Sequence, residues 1–336
     1  MQPHVYHARG WQANGNGQGD ENANPNSNAG KPGGGGRSPN MTYHGGKIMP
    51  KATTKAFFRG TSWASYSGDK ITGMDDYYNG YSNSEYMKTV KEFSGIGGFS
   101  MSMNVITHQG HYMEPQAETS NGGTSAVLAE VCSAIAESGI VIDASGNGYY
   151  PLYSDQPRGS AGYCAWHSAD TCGGKAVQSA FFWKLDGDAG CYPLDNSGLH
   201  SQGLAAIANV SAHELSEAVT DPASPGAWYD AQGYQNSDKC AWVFGAPLLT
   251  FSNISKWKLQ GNWSNAAYTA GTGALRASVQ AKGVRGMRVL RTFVRSRSVF
   301  SAEAACACTS GSSCASAGNE ASEGKRAVCE ASDMSL

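Results

Sequence analysis

Between Ser201 and Asp221 the chain reads SQGLAAIANVSAHELSEAVTD, and inside it lies His213-Glu214-Leu215-Ser216-Glu217. His213 and Glu217 are four positions apart, so on a helix they sit one turn apart and can converge on a single atom. Glu214 projects roughly 100° round the helix from His213. The pattern HExxE is close to the HExxH of zinc peptidases, in which two histidines bind the metal and the glutamate between them activates a water. A carboxylate oxygen is an accepted zinc ligand, so Glu217 in place of the second histidine keeps that chemistry available. His213 and Glu217 are therefore candidate zinc ligands, and Glu214 is the candidate general base. The competing reading of the same residues is structural: buried hydrogen-bonding groups that hold neighbouring loops. Both readings demand partners, because an unpaired buried carboxylate is very costly.

A third ligand has to come from outside the helix. The loop from Ala227 to Trp242 is short enough to fold back over it and carries Asp230 and Asp238, of which Asp238 is the chosen ligand and His167 the next choice. Asp221 is close in sequence but sits at the helix end, facing elsewhere. Other constellations are weaker. Cys164 and His167 could pair a thiol with a base, though a cysteine among several neighbouring cysteines is more often half of a disulfide. Asp186, Asp188 and Asp195 lack the spacing and terminal glutamate of an EF-hand. Asn40, Asn209, Asn253 and Asn262 begin N-x-Ser/Thr sequons, which matter only on a secretory route that glycosylates.

The helix that must position these residues is apolar on both sides. Leu204, Ala208, Ser211, Leu215 and Ala218 form one stripe, and Ala206, Val210, His213 and Glu217 the opposite one. No Lys or Arg occurs from His200 through Thr220, whereas a solvent-facing helix carries such residues on its wet side. It is expected at the centre of the fold, opened at Ser201 and ended by Asp221-Pro222, since the residue before a proline is pushed out of helical conformation. Around it the sequence predicts strands over Lys55–Trp63, Ser100–Thr107, Tyr149–Tyr153 and Ala176–Leu185, and helices over Ser84–Phe93 and Thr124–Ser138. The expected architecture is one mixed α+β domain over residues 41–275, a sheet packed on the central HExxE helix in a zincin-like arrangement.

The flanks look different. Residues 1–40 are mostly Gly, Asn and Pro, a composition that predicts a disordered leader. Residues 276–336 run from a basic segment (Arg276, Lys282, Arg285, Arg288, Arg291, Arg295, Arg297) into an Ala/Ser/Gly/Cys-rich tail, also expected to be disordered. A formal net charge of −2 over 336 residues offers no field for gripping nucleic acid or an anionic membrane. No apolar run reaches the length of a membrane span, and no secretory signal is recognisable at the start. Cysteine usage points outward nonetheless. Cys132, Cys164, Cys172, Cys191 and Cys240 lie in the part expected to fold, in surroundings that suit disulfides of a secreted protein. Cys132, in an apparent helix, is the expected odd thiol, which leaves the other four to pair in one of three ways.

Several stretches together resemble a known family. Tyr43-His44-Gly45-Gly46, Tyr163-Cys164-Ala165-Trp166-His167-Ser168, Ala212-His213-Glu214-Leu215-Ser216-Glu217-Ala218, Ala227-Trp228-Tyr229-Asp230 and Asp238-Lys239-Cys240-Ala241-Trp242, in that order, resemble the phosphate-induced protein / EXORDIUM-like family, more its microbial than its plant members, over residues 41–245. The resemblance implies an extracellular or cell-wall protein, linked in plants to growth regulation, with no established enzyme activity. The family often shows Gly-x-Glu-x-x-Asp where this chain has Gly233-Tyr234-Gln235-Asn236-Ser237-Asp238. If that glutamate is a ligand or essential partner, the neutral Gln235 weakens the site. Two functions are expected from these readings: a secreted, zinc-dependent hydrolase acting on a peptide or cell-wall substrate, or a non-catalytic extracellular interaction protein.

Overall fold

Strand-forming runs rich in Val, Tyr, Phe and Trp assemble into one mixed six-stranded sheet. The computed structural model describes residues 3–9, 39–95, 105–244, 248–270 and 305–306. In chain order the elements are β1 (His4–His7), β2 (Thr42–Tyr43), β3 (Lys51–Arg59), α1 (Lys70–Tyr81), α2 (Glu85–Lys88), β4 (Val105–Glu114), α3 (Thr124–Glu137), β5 (Gly148–Pro157), β6 (Tyr163–Cys172), β7 (Lys175–Lys184), α4 (Gln202–Thr220) and β8 (Trp228–Tyr229). The short elements β9 (Leu249–Thr250), β10 (Lys256–Trp257), β11 (Asn262–Trp263) and α5 (Asn265–Thr269) follow.

The sheet order is β1-β6-β7-β5-β3-β4. β4, β3, β5 and β7 run parallel, β6 returns antiparallel to β7, and β1 is antiparallel to β6 at the edge. The β6–β7 hairpin turns on Gly173 and Gly174, both at positive φ, which a two-residue turn of this kind requires. Side chains alternate across the sheet. On β6, Trp166 donates its indole N–H to the Gly122 carbonyl just before α3, while the next residue, His167, turns to the opposite face and meets α4. α1 and α4 thus share one face and α3 lies on the other.

α4 is the central element, as its composition requires: from Gly203 to Thr220 every residue is buried. Ser201 caps it, its hydroxyl accepting from the Leu204 amide at 3.1 Å, and Asp221 leaves helical conformation before Pro222. α1 packs close against α4 because Gly73 has no side chain; a Cβ there would stand 2.3 Å from Leu204 Cδ2.

Several expectations need correction. The strand expected at Lys55–Trp63 begins earlier, at Lys51, and stops at Arg59, because Gly60 adopts φ 131° and the chain continues in a 3-10 turn over Thr61–Ser65. Only Glu85–Lys88 of the Ser84–Phe93 helix is α-helical, with the Ser84 cap in place. The N-terminal leader contains an ordered piece: β1 joins the sheet through four residues whose alternation fits the edge of β6. Residues 10–38 and, apart from the short strand Ala305–Cys306, 276–336 lie outside the described residues. So do positions 100–104 of the strand expected at Ser100–Thr107.

The cysteine assignment also changes. The bridges are Cys132–Cys172 and Cys164–Cys191, and buried Cys240 takes part in neither. Cys132 sits on the side of α3 that meets the end of β6, a proximity that helical periodicity alone does not reveal. Two disulfides fit a protein of an oxidising compartment. Among the described residues no helix is long and apolar enough to cross a membrane.

Candidate functional site

Four elements converge beneath the edge of the sheet. α4 supplies His213, Glu214 and Glu217, β6 supplies His167, the 3-10 turn Asp238–Cys240 supplies Asp238, and β1 lays His4 and Tyr6 across them. The side chains of His167, His213, Glu214 and Glu217 are at most 2 % exposed, and that of Asp238 is 16 % exposed.

His213 and Glu217 do meet one turn apart: Nε2 of His213 lies 3.1 Å from Glu217 Oε1 and 3.5 Å from Asp238 Oδ1. The Asp238 amide donates to the same Glu217 oxygen at 2.9 Å, which fixes the loop against the helix. On the other side of Glu217, His167 Nδ1 lies 2.8 Å from Glu214 Oε2 and 3.9 Å from Glu217 Oε2. Two sets of ligand-type atoms result, His213/Glu217/Asp238 and His167/Glu214/Glu217, each within 4.8 Å of one another. Ligand atoms about 2.0–2.1 Å from a tetrahedral ion stand about 3.3 Å apart. The His213 distances bracket that value.

The electrostatics follow from burial. Among the described residues, the ion-pair partners of Glu214 and Glu217 are the two imidazoles. Burial drives the Glu214 carboxyl well above the carboxylate range, and burial with the nearby Asp238 pushes Glu217 up to about 7. Burial, together with His4 and His213, holds His167 well below the usual histidine range. Burial opposes charge on His213 too, but Glu217 and Asp238 outweigh it and raise that imidazole well above its ordinary value. The network is not closed: Nε2 of His213, Nε2 of His167 and Oε1 of Glu214 are buried without an aligned hydrogen-bond partner. Buried polar atoms left in this state are uncommon.

A second layer orients the ring of His213. Gln260 Nε2 lies 3.1 Å from His213 Nδ1 and donates to the Ser237 carbonyl at 3.0 Å, while Gln260 Oε1 accepts from the Tyr6 hydroxyl at 2.5 Å. The Tyr6 ring stacks on the His213 imidazole at 4.0 Å, and His4 stacks on His167 at 5.0 Å.

The other expected site residues are accounted for. Asp230 accepts from the amides of Gln232 and Tyr234 and pairs with Lys239, so it caps its own loop. Asp221 accepts from the Ala227 amide and from Gln235 Nε2. Gln235, where the family pattern has glutamate, faces Asp221 and His4 instead of the His213 set. Cys164 is closed in a disulfide, which removes the thiol-nucleophile alternative. Tyr6, His4 and Gln260 were not legible as site residues; the alternation His4-x-Tyr6 was the one available signal. Set against known families and curated proteins, the chain matches no family model and no curated sequence.

Proposed function

We propose that the protein is a secreted metal-dependent hydrolase in which zinc is held by His213, Glu217 and Asp238, with Glu214 as general base. The observation that carries this is Nε2 of His213 standing 3.1 Å from Glu217 Oε1 and 3.5 Å from Asp238 Oδ1, beside a buried carboxylate with one unpartnered oxygen. Bound zinc supplies a water of lowered pKa and a Lewis acid for the carbonyl. Glu214, whose carboxyl a cation beside it would return to the ionised form, would take the proton of that water as its oxygen bonds to the carbonyl carbon. It then returns the proton to the departing nitrogen or oxygen as the scissile bond breaks. His167, on Glu214 Oε2, holds the base in place so that Oε1 faces the reaction.

The ring of His213 has to change protonation for this. Its Nδ1 accepts from Gln260, so the proton of the neutral ring lies on Nε2, facing the carboxylates. A metal ion held on Nε2 would put the ring's proton on Nδ1, and Gln260 would then have to present its oxygen there at the expense of its bonds to Ser237 and Tyr6. The burial of the HExxE helix against a mixed sheet, the EXORDIUM-like resemblance and the two disulfides support a secreted hydrolase of peptide or cell-wall material.

The test is elemental analysis with thermal melts. One zinc per chain, lost on chelation with a fall in Tm, is expected. Metal-free protein whose Tm is unchanged by chelator or added zinc would sink the reading and favour the rival, a non-catalytic interaction protein. A specific observation favours that rival as well, namely that β1 covers both imidazoles. On the rival reading Glu214→Gln leaves function intact, whereas on the hydrolase reading it abolishes turnover while zinc content stays the same.

A further inference from the structure

β1 is a stretch of extended polypeptide lying on the candidate site. It pairs antiparallel with β6 in the register His4↔His167, Val5↔Trp166, Tyr6↔Ala165. The period of two puts His4 and Tyr6 on the same face, over His167 and His213 respectively. Tyr6 is 1 % exposed, its ring held between His213 at 4.0 Å and Trp242 at 4.7 Å and its hydroxyl on Gln260. Arg9, at the end of the segment, lies over the Trp242 ring. β6 is ten residues long, and β1 pairs with only its first half.

β1 covers both imidazoles, so a ligand that approaches His213 from that side takes the ground β1 holds. That ground offers the edge of β6, a row of backbone donors and acceptors, and one aromatic slot. Those features recognise an extended polypeptide, in which main-chain hydrogen bonds give affinity and alternate side chains give specificity. A polysaccharide has no N–H and C=O row to match the strand edge.

We infer that this site takes an extended polypeptide segment, added antiparallel to the edge of β6 with an aromatic side chain between His213 and Trp242, and that β1 is the chain's own occupant of the groove. The inference rests on the hydrolase reading only for calling the ligand a substrate; binding in the groove needs no metal. β1 and a substrate exclude each other, so the folded chain holds its site covered.

The experiment uses the full chain and a fluorescein-labelled synthetic peptide of residues 3–9, PHVYHAR. Tyr6→Ala empties the slot, and that variant is expected to bind the peptide saturably, at least tenfold more tightly than the unsubstituted chain. The same peptide with alanine for its tyrosine is expected not to bind. A folded Tyr6→Ala chain, with both disulfides formed, that ignores the peptide overturns the inference, as does binding indifferent to the tyrosine. Should Tyr6→Ala fail to fold, hydrogen exchange on the unsubstituted chain decides. Amides of Val5 to His7 that exchange well before those of β5 and β7 support a displaceable strand, and equal protection overturns it. Titrations with zinc and with EDTA separate the two readings. Peptide binding that survives without any zinc uptake sinks the hydrolase reading alone, whereas zinc uptake without peptide binding sinks this one alone.

Discussion

Replacing Gln235 by glutamate introduces the acid of the pattern that the sequence resembles, and the structure says that it destabilises this chain. Gln235 is fully buried, and its Nε2 donates to Asp221 Oδ2 at 2.8 Å. Two ionised carboxylates at that separation would repel by about 6 kcal/mol at an effective dielectric of about 20. Holding one proton is cheaper. A protonated glutamate donates to Asp221 in the amide's place, and keeping a group of ordinary pKa about 4.3 protonated at pH 7 costs about 4 kcal/mol. At pH 5 the same term is about 1 kcal/mol. His4 Nε2, 3.2 Å from the Gln235 amide, could supply that proton, so the comparison is made in a His4→Ala background. For a domain of this size about 4 kcal/mol lowers Tm by roughly 8–16 °C. Thermal melts of His4→Ala with and without Gln235→Glu should therefore differ by that amount at pH 7 and by only a few degrees at pH 5. A shift of equal size at both pH values, or a Tm at pH 7 within 2 °C or so of the parent, would refute the reasoning. Zinc that rescues Gln235→Glu but not its parent would show that residue 235 reaches the metal after all.

Further tests bear on neighbouring parts of the structure. Burial, offset in part by hydrogen bonds from Ala227 and Gln235, raises Asp221 from 3.8 to about 6. An acid raised in the folded state is stabilising below its unfolded pKa and loses that contribution as pH rises through the folded value, here between about pH 4 and pH 6, up to about 3 kcal/mol. Asp221→Asn should flatten this slope and raise Tm at pH 7; an unchanged slope in urea titrations would assign it elsewhere. Gly73→Ala places a Cβ 2.3 Å from Leu204 Cδ2 and should cost about 1–3 kcal/mol by chemical denaturation, with partial recovery in the double variant carrying Leu204→Ala. Replacing Cys132 and Cys172 together by serine opens a bridge spanning 40 residues and should cost about 4 kcal/mol in the same assay. A loss below about 1 kcal/mol would mean that the unfolded chain gains little freedom without that bridge.

The legible parts of this chain are those whose signals are local. α4 could be read because Ser201, Pro222 and an unbroken apolar surround act within one helix, and its three charged residues stand out against that background. Asp238 could be proposed because its loop is short. The illegible parts depend on partners far along the chain. β1 is four residues in a Gly/Asn-rich neighbourhood, and it becomes a strand because β6, about 160 residues later, presents an edge in register. α1 carries Gly73 and Gly80, which lower helix propensity; the structure uses Gly73 for close approach to α4. Cys132 reads as a buried helical thiol until the fold brings Cys172 beside it. Gln235 shows the limit of pattern matching: it stands where the resembled pattern has an acid, but its side chain serves the end of α4, not the candidate metal ligands.

Both disulfides end on one strand. Cys164 and Cys172 lie near the two ends of β6, and His167, which holds Glu214, lies between them. Reduction would release this strand at both ends at once, and with it the groove edge to which β1 is paired. On the proposed reading, the site would be complete only once both bridges have closed, in an oxidising compartment.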